Sequence, residues 1–153
     1  MAKAPTRVAI VDDDASVRRA LARLLSASSF DITTFGSARE FLKTVKETPP
    51  ECLVVDLHMP EFTGLELQRH LVRAGIHIPT IMMTGYNEPG LRERCESAGA
   101  ARFLLKPVDA KILIGEINSA VHQRRCVTRT ASALSKARDS GKSDHDGQRS
   151  RCR

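Results

Sequence analysis

The stretch that decides the fold is Cys52-Leu53-Val54-Val55-Asp56, in which four apolar residues are followed by a carboxylate. A strand with one face in water would alternate polar and apolar residues, so this continuous apolar run predicts a strand that is buried on both faces. Such strands belong to parallel sheets covered by helices. The aspartate is then expected at the carboxyl edge of the sheet, where open α/β folds bind their ligands.

Strand and helix patterns alternate on both sides of this stretch, from residue 7 to about residue 122. Four further strands are predicted at residues 8–11, 32–35, 79–83 and 102–105, and a helical periodicity follows every strand. We therefore predict an α/β fold, a flavodoxin-like doubly wound arrangement of five βα units with a five-stranded parallel sheet in the order 2-1-3-4-5.

The helix ends are predicted from capping residues. Asp14 and Asp109 are expected to cap the first and the fifth helix, because a side-chain oxygen can accept from the free N–H groups of the first turn. The fourth helix is expected to open at Asn87 or Glu88 and to stop at Gly99. Its apolar stripe is thin, so we expect this helix to be weakly held.

The distribution of charge divides the chain into two parts. The 153 residues have a net charge of +6, but residues 126–153 alone hold 7 basic and 3 acidic side chains. In that part Ser, Thr, Arg and Lys dominate and the helical pattern fails, as is typical of disordered segments. We predict one folded domain over residues 5–124 and a basic, disordered tail over residues 125–153.

Several protein classes are excluded by what the sequence lacks. It has no apolar segment of about 18 residues and no secretory leader pattern, so we expect a cytoplasmic protein with no membrane partner. Its four cysteines form no Cys-x-x-Cys pair and are expected to be reduced thiols. Trp is absent and aromatic residues make up 4%, which argues against stacking on single-stranded nucleic acid.

Five polar residues that end or follow the predicted strands are expected to meet at one edge of the sheet. They are Asp12, Asp13, Asp56, Thr84 and Lys106. Three close carboxylates repel one another, so a proton or a cation must neutralise them, and Mg²⁺ prefers such oxygen ligands. A carboxylate, a divalent ion, a lysine and a hydroxyl are the groups needed for phosphoryl transfer onto an aspartate. By position Asp56 is the best nucleophile.

The motifs resemble the receiver domain of two-component response regulators over residues 7–123. They read Val11-Asp12-Asp13-Asp14, Asp56-Leu57-His58-Met59-Pro60, Gly64, Met83-Thr84-Gly85 and Lys106-Pro107. The pattern Thr84-Gly85-Tyr86 with Ala98-Gly99-Ala100-Ala101-Arg102-Phe103 is similar to regulators of the nitrogen-fixation type, which usually carry a LuxR-like helix-turn-helix domain. Only 28 residues follow Arg125, so we expect a stand-alone receiver or a chain that has lost its output module.

The resemblance implies a role for each residue of the acidic site. Asp56 would accept a phosphoryl group from a sensor histidine kinase. Asp13 would bind Mg²⁺ directly, Asp12 would help through water, and the backbone carbonyl of His58 would complete the protein's share of the coordination. The chain would then be a signalling domain and not an enzyme, apart from its own phosphorylation and dephosphorylation.

The resemblance also implies a switch. Thr84 and Lys106 would each hold a phosphoryl oxygen, Phe103 would turn inward as Thr84 moves, and the Lys106-Pro107 bond would be cis. The surface of the fourth helix, fifth strand and fifth helix would then signal to a downstream partner that the sequence does not identify, or favour a homodimer. His58 and Tyr86, each two places after a site residue, would tune the phosphoryl lifetime.

The first helix would dock the kinase through Ala15, Val17, Arg18 and Leu21, although core packing also explains Val17 and Leu21. Two other functions remain open. Asp12-x-Asp14 after a first strand also looks like the nucleophile motif of haloacid-dehalogenase-type phosphatases, which would leave Asp56 and Lys106 unexplained. The basic tail could instead bind nucleic acid or an acidic membrane, but only weakly and in a salt-sensitive way. Three aspartates after the first strand would repel the phosphate of FMN.

Overall fold

A computed structural model describes residues 3–139 and contains five strands and five helices in alternation. Their bounds are β1 Arg7–Val11, α1 Ala15–Ser26, β2 Asp31–Phe35, α2 Ala38–Thr44, β3 Cys52–Asp56, α3 Gly64–Arg73, β4 Thr80–Thr84, α4 Leu91–Ser97, β5 Arg102–Leu105 and α5 Ala110–Asp139. All strand pairs are parallel, and the order β2-β1-β3-β4-β5 confirms the predicted doubly wound sheet.

Successive residues of the central strands face two different cores, because side chains alternate across a strand. On one face Val55 and Met82 pack with α2, α3 and α4, for example against Phe41 and Leu67. The cluster on the other face contains these residues of β1, β3 and β4 together with α1 and α5: Val8, Ile10, Cys52, Val54, Ile81, Met83, Leu25, Leu113 and Ile117. Helices on both faces thus explain why β3 and β4 are apolar throughout.

The helix starts follow local capping chemistry. The Asp14 carboxylate accepts from the backbone N–H groups of Ser16 and Val17, and Asp109 accepts from those of Lys111 and Ile112, as predicted. The prediction for α4 is wrong, because this helix begins at Leu91 instead of Asn87 or Glu88.

The late start of α4 has a backbone cause. A residue before proline is disfavoured in helical conformation, which affects Glu88 before Pro89. Gly90 then adopts a left-handed conformation, with φ at 78°, and provides no side-chain cap. Gly99, with φ at 99°, follows the end of the helix as expected.

The predicted disorder after Arg125 is wrong for residues 125–139, because α5 continues to Asp139. Ala, Leu, Arg and Lys in this stretch are good helix formers, and the hydroxyls of Thr128 and Thr130 donate to the carbonyls of Arg124 and Cys126. One compact unit ends at His122 and the other begins at Gln123. The rest of the predicted tail, residues 140–153, lies outside the described residues.

None of the described helices is both long enough and apolar enough to cross a membrane. Of the four cysteines, Cys52 and Cys95 are buried thiols, Cys126 is exposed, and Cys152 lies outside the described residues. Burial raises the pKa of the Cys52 thiol to about 12. The two buried cysteines contribute to the cores on the two faces of the sheet.

Candidate functional site

Three carboxylates meet at the carboxyl edge of β1 and β3, as the strand order predicts. β1 and β3 are hydrogen-bonded neighbours, with Val11 opposite Val55, so the residues that follow and end these strands are adjacent. One carboxylate oxygen from each of Asp12, Asp13 and Asp56 lies within 4.8 Å of the others. Asp12 is completely buried, Asp56 is buried, and Asp13 is exposed.

Asp12 is held by contacts from several directions. Its Oδ1 accepts from the backbone N–H of Asp14 at 2.9 Å, and its Oδ2 accepts from Lys106 Nζ at 2.9 Å. Its backbone N–H donates to the carbonyl of Phe35, and its backbone carbonyl accepts from the Arg18 guanidinium at 2.6 Å. Asp12 is thus a fixed anion with no oxygen left unengaged.

Lys106 bridges two of the carboxylates from the end of β5. Its Nζ lies 2.9 Å from Asp12 Oδ2 and 3.5 Å from Asp56 Oδ2. Burial is the largest single influence and lowers the pKa of Lys106, but the hydrogen bonds and charges of the two aspartates together raise it above its ordinary value. The ammonium therefore stays charged, and the Lys106-Pro107 bond is cis as expected.

Burial disfavours the ionised form of the Asp56 carboxyl group. Burial first, and then the charge of Asp12, raise the pKa of Asp56, while Lys106 and the backbone N–H of His58 lower it by a smaller amount. The His58 N–H donates to Asp56 Oδ1 at 3.3 Å. An additional cation at this site would stabilise the ionised form of Asp56.

Gly64 supports Asp56 from behind, at the first residue of α3. A Cβ atom on this glycine would lie 2.6 Å from the carbonyl oxygen of Asp56, which is closer than real Cβ contacts. The backbone N–H of Gly64 donates to the carbonyl of Leu57. In the sequence, Gly64 is recognisable only as a residue of the motif. A glycine at the start of a helix shortly after a strand-ending aspartate is the signal that could have indicated this close approach.

Thr84 ends β4 as predicted, but its hydroxyl bonds locally. Thr84 Oγ1 donates to the carbonyl of Tyr86 at 3.0 Å and accepts from the Tyr86 N–H at 3.1 Å. The exposed rings of Tyr86 and His58 meet edge to face, with centroids 5.7 Å apart. The two residues that were predicted to tune the site are therefore in contact with each other.

Phe103 is already buried, with 6% of its surface exposed. The guanidinium of Arg92, from α4, lies over its ring at 5.1 Å from the centroid. The inward ring therefore coexists with a Thr84 hydroxyl bonded to Tyr86, and inward packing of Phe103 does not require that hydroxyl to leave Tyr86. Sequence patterns contain no signal for the Arg92 contact, because it is made between two different elements.

The donor set fits a divalent ion such as Mg²⁺. Mg²⁺ takes octahedral oxygen ligands at about 2.0–2.1 Å and commonly uses one or two carboxylates together with water. Both oxygens of Asp12 accept short hydrogen bonds of 2.9 Å, whereas the contacts to the Asp56 oxygens are longer, at 3.3 Å from the His58 N–H and 3.5 Å from Lys106 Nζ. The exposed Asp13 carboxylate is therefore the most accessible of the three to a cation.

The phosphatase alternative does not fit the same geometry. The first aspartate of its motif would have to be an available nucleophile, but Asp12 is completely buried and bonded to Lys106. The second aspartate, Asp14, uses its side chain to cap α1. Neither carboxylate of the Asp12-x-Asp14 pair is free to act as that motif requires.

Known proteins show the same domain. A family model described as the response regulator receiver domain matches residues 8–118. Nodulation protein W of Bradyrhizobium diazoefficiens is 36% identical over 118 residues, which are 77% of this chain and 52% of that protein. The transcriptional regulatory protein FixJ of Azorhizobium caulinodans is 37% identical over 114 residues, 74% of this chain and 54% of that protein. The chain spans about half the length of these relatives.

Solved structures agree with the family. The crystal structure of FixJ-N superposes with a TM-score of 0.73 at 34% identity, covering 80% of this chain and 96% of that one. The response regulator StyR superposes with a TM-score of 0.76 at 34% identity and covers 87% of this chain and 69% of its own. The acidic edge described above therefore lies within a region that is shared with response regulators.

Proposed function

This chain belongs to the response regulator receiver domain family of two-component signalling, and on that premise we propose that Asp56 accepts a phosphoryl group from a sensor histidine kinase. The observation that carries the proposal is the cluster of Asp12, Asp13 and Asp56 with Lys106 Nζ 3.5 Å from Asp56. The folded domain would span residues 5–124.

In the proposed transfer, an Asp56 carboxylate oxygen forms a bond to phosphorus as the bond between phosphorus and the donor nitrogen breaks. The donor imidazole leaves with the electron pair of that bond and takes up a proton. Asp13 and Asp56, with the His58 carbonyl, would hold Mg²⁺, which supplies positive charge to the phosphoryl oxygens. Lys106 offers a second cation and keeps Asp12 in place.

Lys106 would exchange one of its two carboxylate contacts for a phosphoryl oxygen when Asp56 is phosphorylated. The Thr84 hydroxyl would turn from the Tyr86 carbonyl to another phosphoryl oxygen. The rings of Tyr86 and His58 contact each other. They would control the access of water and thereby the lifetime of the acyl phosphate. The surface of α4, β5 and α5 would carry the change to a partner or to a second copy of the chain.

The simplest test is chemical phosphorylation. The protein is incubated with acetyl phosphate in Mg²⁺ and, separately, in EDTA, and the adduct is measured by intact mass. We expect a single acid-stable, base-labile phosphoryl group that requires Mg²⁺ and is absent in Asp56→Asn. Asp109→Asn is the matched control, because it changes an exposed capping carboxylate of α5 and should phosphorylate normally.

Two outcomes would contradict the proposal. An adduct that persists in Asp56→Asn would place the acceptor elsewhere, and steady turnover of unrelated phosphate esters would favour a phosphatase.

Transfer from a purified sensor kinase would then test the partner. Variants at Ala15, Val17 and Arg18 address the proposed docking surface of α1, whereas Leu21 packs partly against the core. We place the protein in the cytoplasm on the basis of this proposed partnership.

A further inference from the structure

Arg18 reaches from α1 to the rim of the acidic cluster. It is the fourth residue of the helix, and its Nη1 donates to the backbone carbonyl of Asp12 at 2.6 Å. A Cβ atom on Gly36 would lie 3.4–3.7 Å from the Arg18 guanidinium, so the group lies beside the residue that follows β2. The guanidinium therefore lies between the loop after β1, to which it is hydrogen-bonded, and the loop after β2.

The bond from Arg18 is made to a backbone oxygen of Asp12, although three carboxylates lie nearby. The ion pairs found among residues 3–139 do not include Arg18. The bonded carbonyl belongs to the peptide group that links Asp12 to Asp13. Since a peptide group is planar, fixing its oxygen also fixes the direction in which the chain enters Asp13.

The position of Asp13 depends on the Arg18 bond more than the positions of Asp12 and Asp56 do. Asp12 is anchored through its own side chain by Asp14 and Lys106, and Asp56 is anchored by His58 and Lys106. In the part of the chain that the structure describes, no comparable hydrogen bond reaches the Asp13 carboxylate, which is exposed. Only its backbone can hold it in place.

We propose that Arg18 is a positioning residue for the cation site, which orients the Asp13 carboxylate toward Asp56 by holding the Asp12–Asp13 peptide. This inference rests on the proposed function, since it concerns the same site. It differs from the docking role expected for α1, because it requires no kinase. Groups that orient a metal ligand commonly change metal affinity by about 10–100-fold when they are removed.

If Arg18 acts only through its charge, or if it acts by holding the peptide, Arg18→Met should have opposite effects on Mg²⁺ affinity. If Arg18 acted only as a charge, its removal would leave the three carboxylates more attractive to Mg²⁺ and would tighten binding. If it holds the peptide, its removal should weaken binding. We expect Arg18→Met to raise the Mg²⁺ dissociation constant roughly tenfold. Arg19→Met is the matched control, since it removes the same charge from the next, exposed residue.

The measurement is a Mg²⁺ titration of the full chain without any phosphodonor, followed through the backbone amide resonances of Asp13, Asp56 and His58. Thermal unfolding in EDTA is recorded for each variant to show that the fold is retained. Gly36→Val provides a second perturbation, because its branched side chain would displace the guanidinium without removing its charge. It should also weaken Mg²⁺ binding.

The outcomes separate this inference from the proposed function. If the wild-type chain does not bind Mg²⁺ but Arg18→Met does, or if neither binds, the metal part of the proposed function is wrong. If the wild-type chain binds Mg²⁺ and Arg18→Met binds equally well or more tightly, the positioning role is wrong while the proposed function stands. Weaker binding in Arg18→Met and Gly36→Val, with Arg19→Met unchanged, supports the inference.

Discussion

The acidic cluster and α4 differ in how firmly the chain holds them. In the cluster, Asp12 is engaged through its backbone N–H, its carbonyl and both carboxylate oxygens. α4 has seven residues, begins after a left-handed glycine, and lacks a side-chain cap. By contrast α1, which follows the cluster, has twelve residues and a double cap from Asp14.

By this comparison, the chemistry of the site belongs to firmly held strand ends, and the conformational response belongs to a short, loosely held helix. Strand ends are held by the sheet on both sides, so carboxylates placed there keep their separation. A short helix without a side-chain cap at its N-terminus can shift at small cost in free energy, which a switching surface requires. If the cluster is rigid and α4 adjustable, substitutions in the cluster should change the free energy of unfolding more than substitutions on α4.

The largest effect on stability is expected for Lys106→Met. This change leaves the completely buried Asp12 beside Asp56 with no ammonium, and removing one partner of a buried ion pair costs about 3–5 kcal/mol. The free energy of unfolding in urea, measured in EDTA at pH 7, should fall by that amount. Lys111→Met, an exposed change on α5, should have almost no effect. A loss below about 1 kcal/mol would mean that the cluster does not depend on this cation.

Gly64→Ala should disturb the cluster through the backbone. The new Cβ would meet the Asp56 carbonyl at 2.6 Å, and overpacking of this kind costs about 1–3 kcal/mol. The rate of phosphorylation should fall as well, because Asp56 must move. Gly115→Ala is the matched control. A Cβ there meets nothing within 4 Å, and alanine should stabilise the helix by about 0.5–1 kcal/mol. Equal stability of the two variants would contradict close packing behind Asp56.

Asp56→Asn should make the metal-free protein more stable at neutral pH. The pKa of Asp56 is raised in the folded chain, so this group contributes stability when it is protonated, and that contribution is lost as the pH rises through the raised value. The unfolding temperature of Asp56→Asn in EDTA should therefore exceed that of the wild type at pH 7, and the difference should shrink as the pH falls toward 3.8. If the difference in unfolding temperature stayed constant across this pH range, ionisation of Asp56 would not destabilise the folded chain.

The sequence predicted the strands of the sheet and the residues that meet at their carboxyl ends. Apolar runs located β1, β3, β4 and β5, and the doubly wound order then brought Asp12, Asp13 and Asp56 to one edge, where the structure has them. These inferences succeed because a parallel strand buried on both faces has a distinct composition, and because topology decides which ends are neighbours.

Contacts between elements could not be predicted in the same way. The bond from Arg18 to the Asp12 carbonyl depends on a side-chain conformation, and the start of α4 depends on the backbone conformation of Gly90. The end of α5 was missed because polar composition was interpreted as disorder, although Ala, Arg and Lys favour a helix. Sequence patterns therefore describe this acidic cluster better than they describe the α4 surface.

The smallest effect is expected for Arg92→Met, which tests whether α4 holds Phe103 inward. A cation over an aromatic ring at an exposed site contributes about 0.5–1 kcal/mol, so the free energy of unfolding should fall by no more than that. The useful measurement is the set of Phe103 ring resonances together with hydrogen exchange of the α4 amides. Loss of the guanidinium should shift the ring signals toward those of an exposed phenylalanine and speed exchange along α4.

Arg94→Met separates the ring contact from a general loss of charge on α4. Arg94 pairs with Glu88 at 3.5 Å, and both side chains are more than half exposed, so its removal should leave the Phe103 signals unchanged. Phosphorylation by acetyl phosphate should proceed at wild-type rate in both variants, because neither residue belongs to the acidic cluster. Unchanged Phe103 signals in Arg92→Met would show that the core, and not α4, keeps the ring inward. The adjustable region would then have to be sought at Thr84 and Tyr86, where the hydroxyl of one residue makes its only described bonds to the backbone of the other.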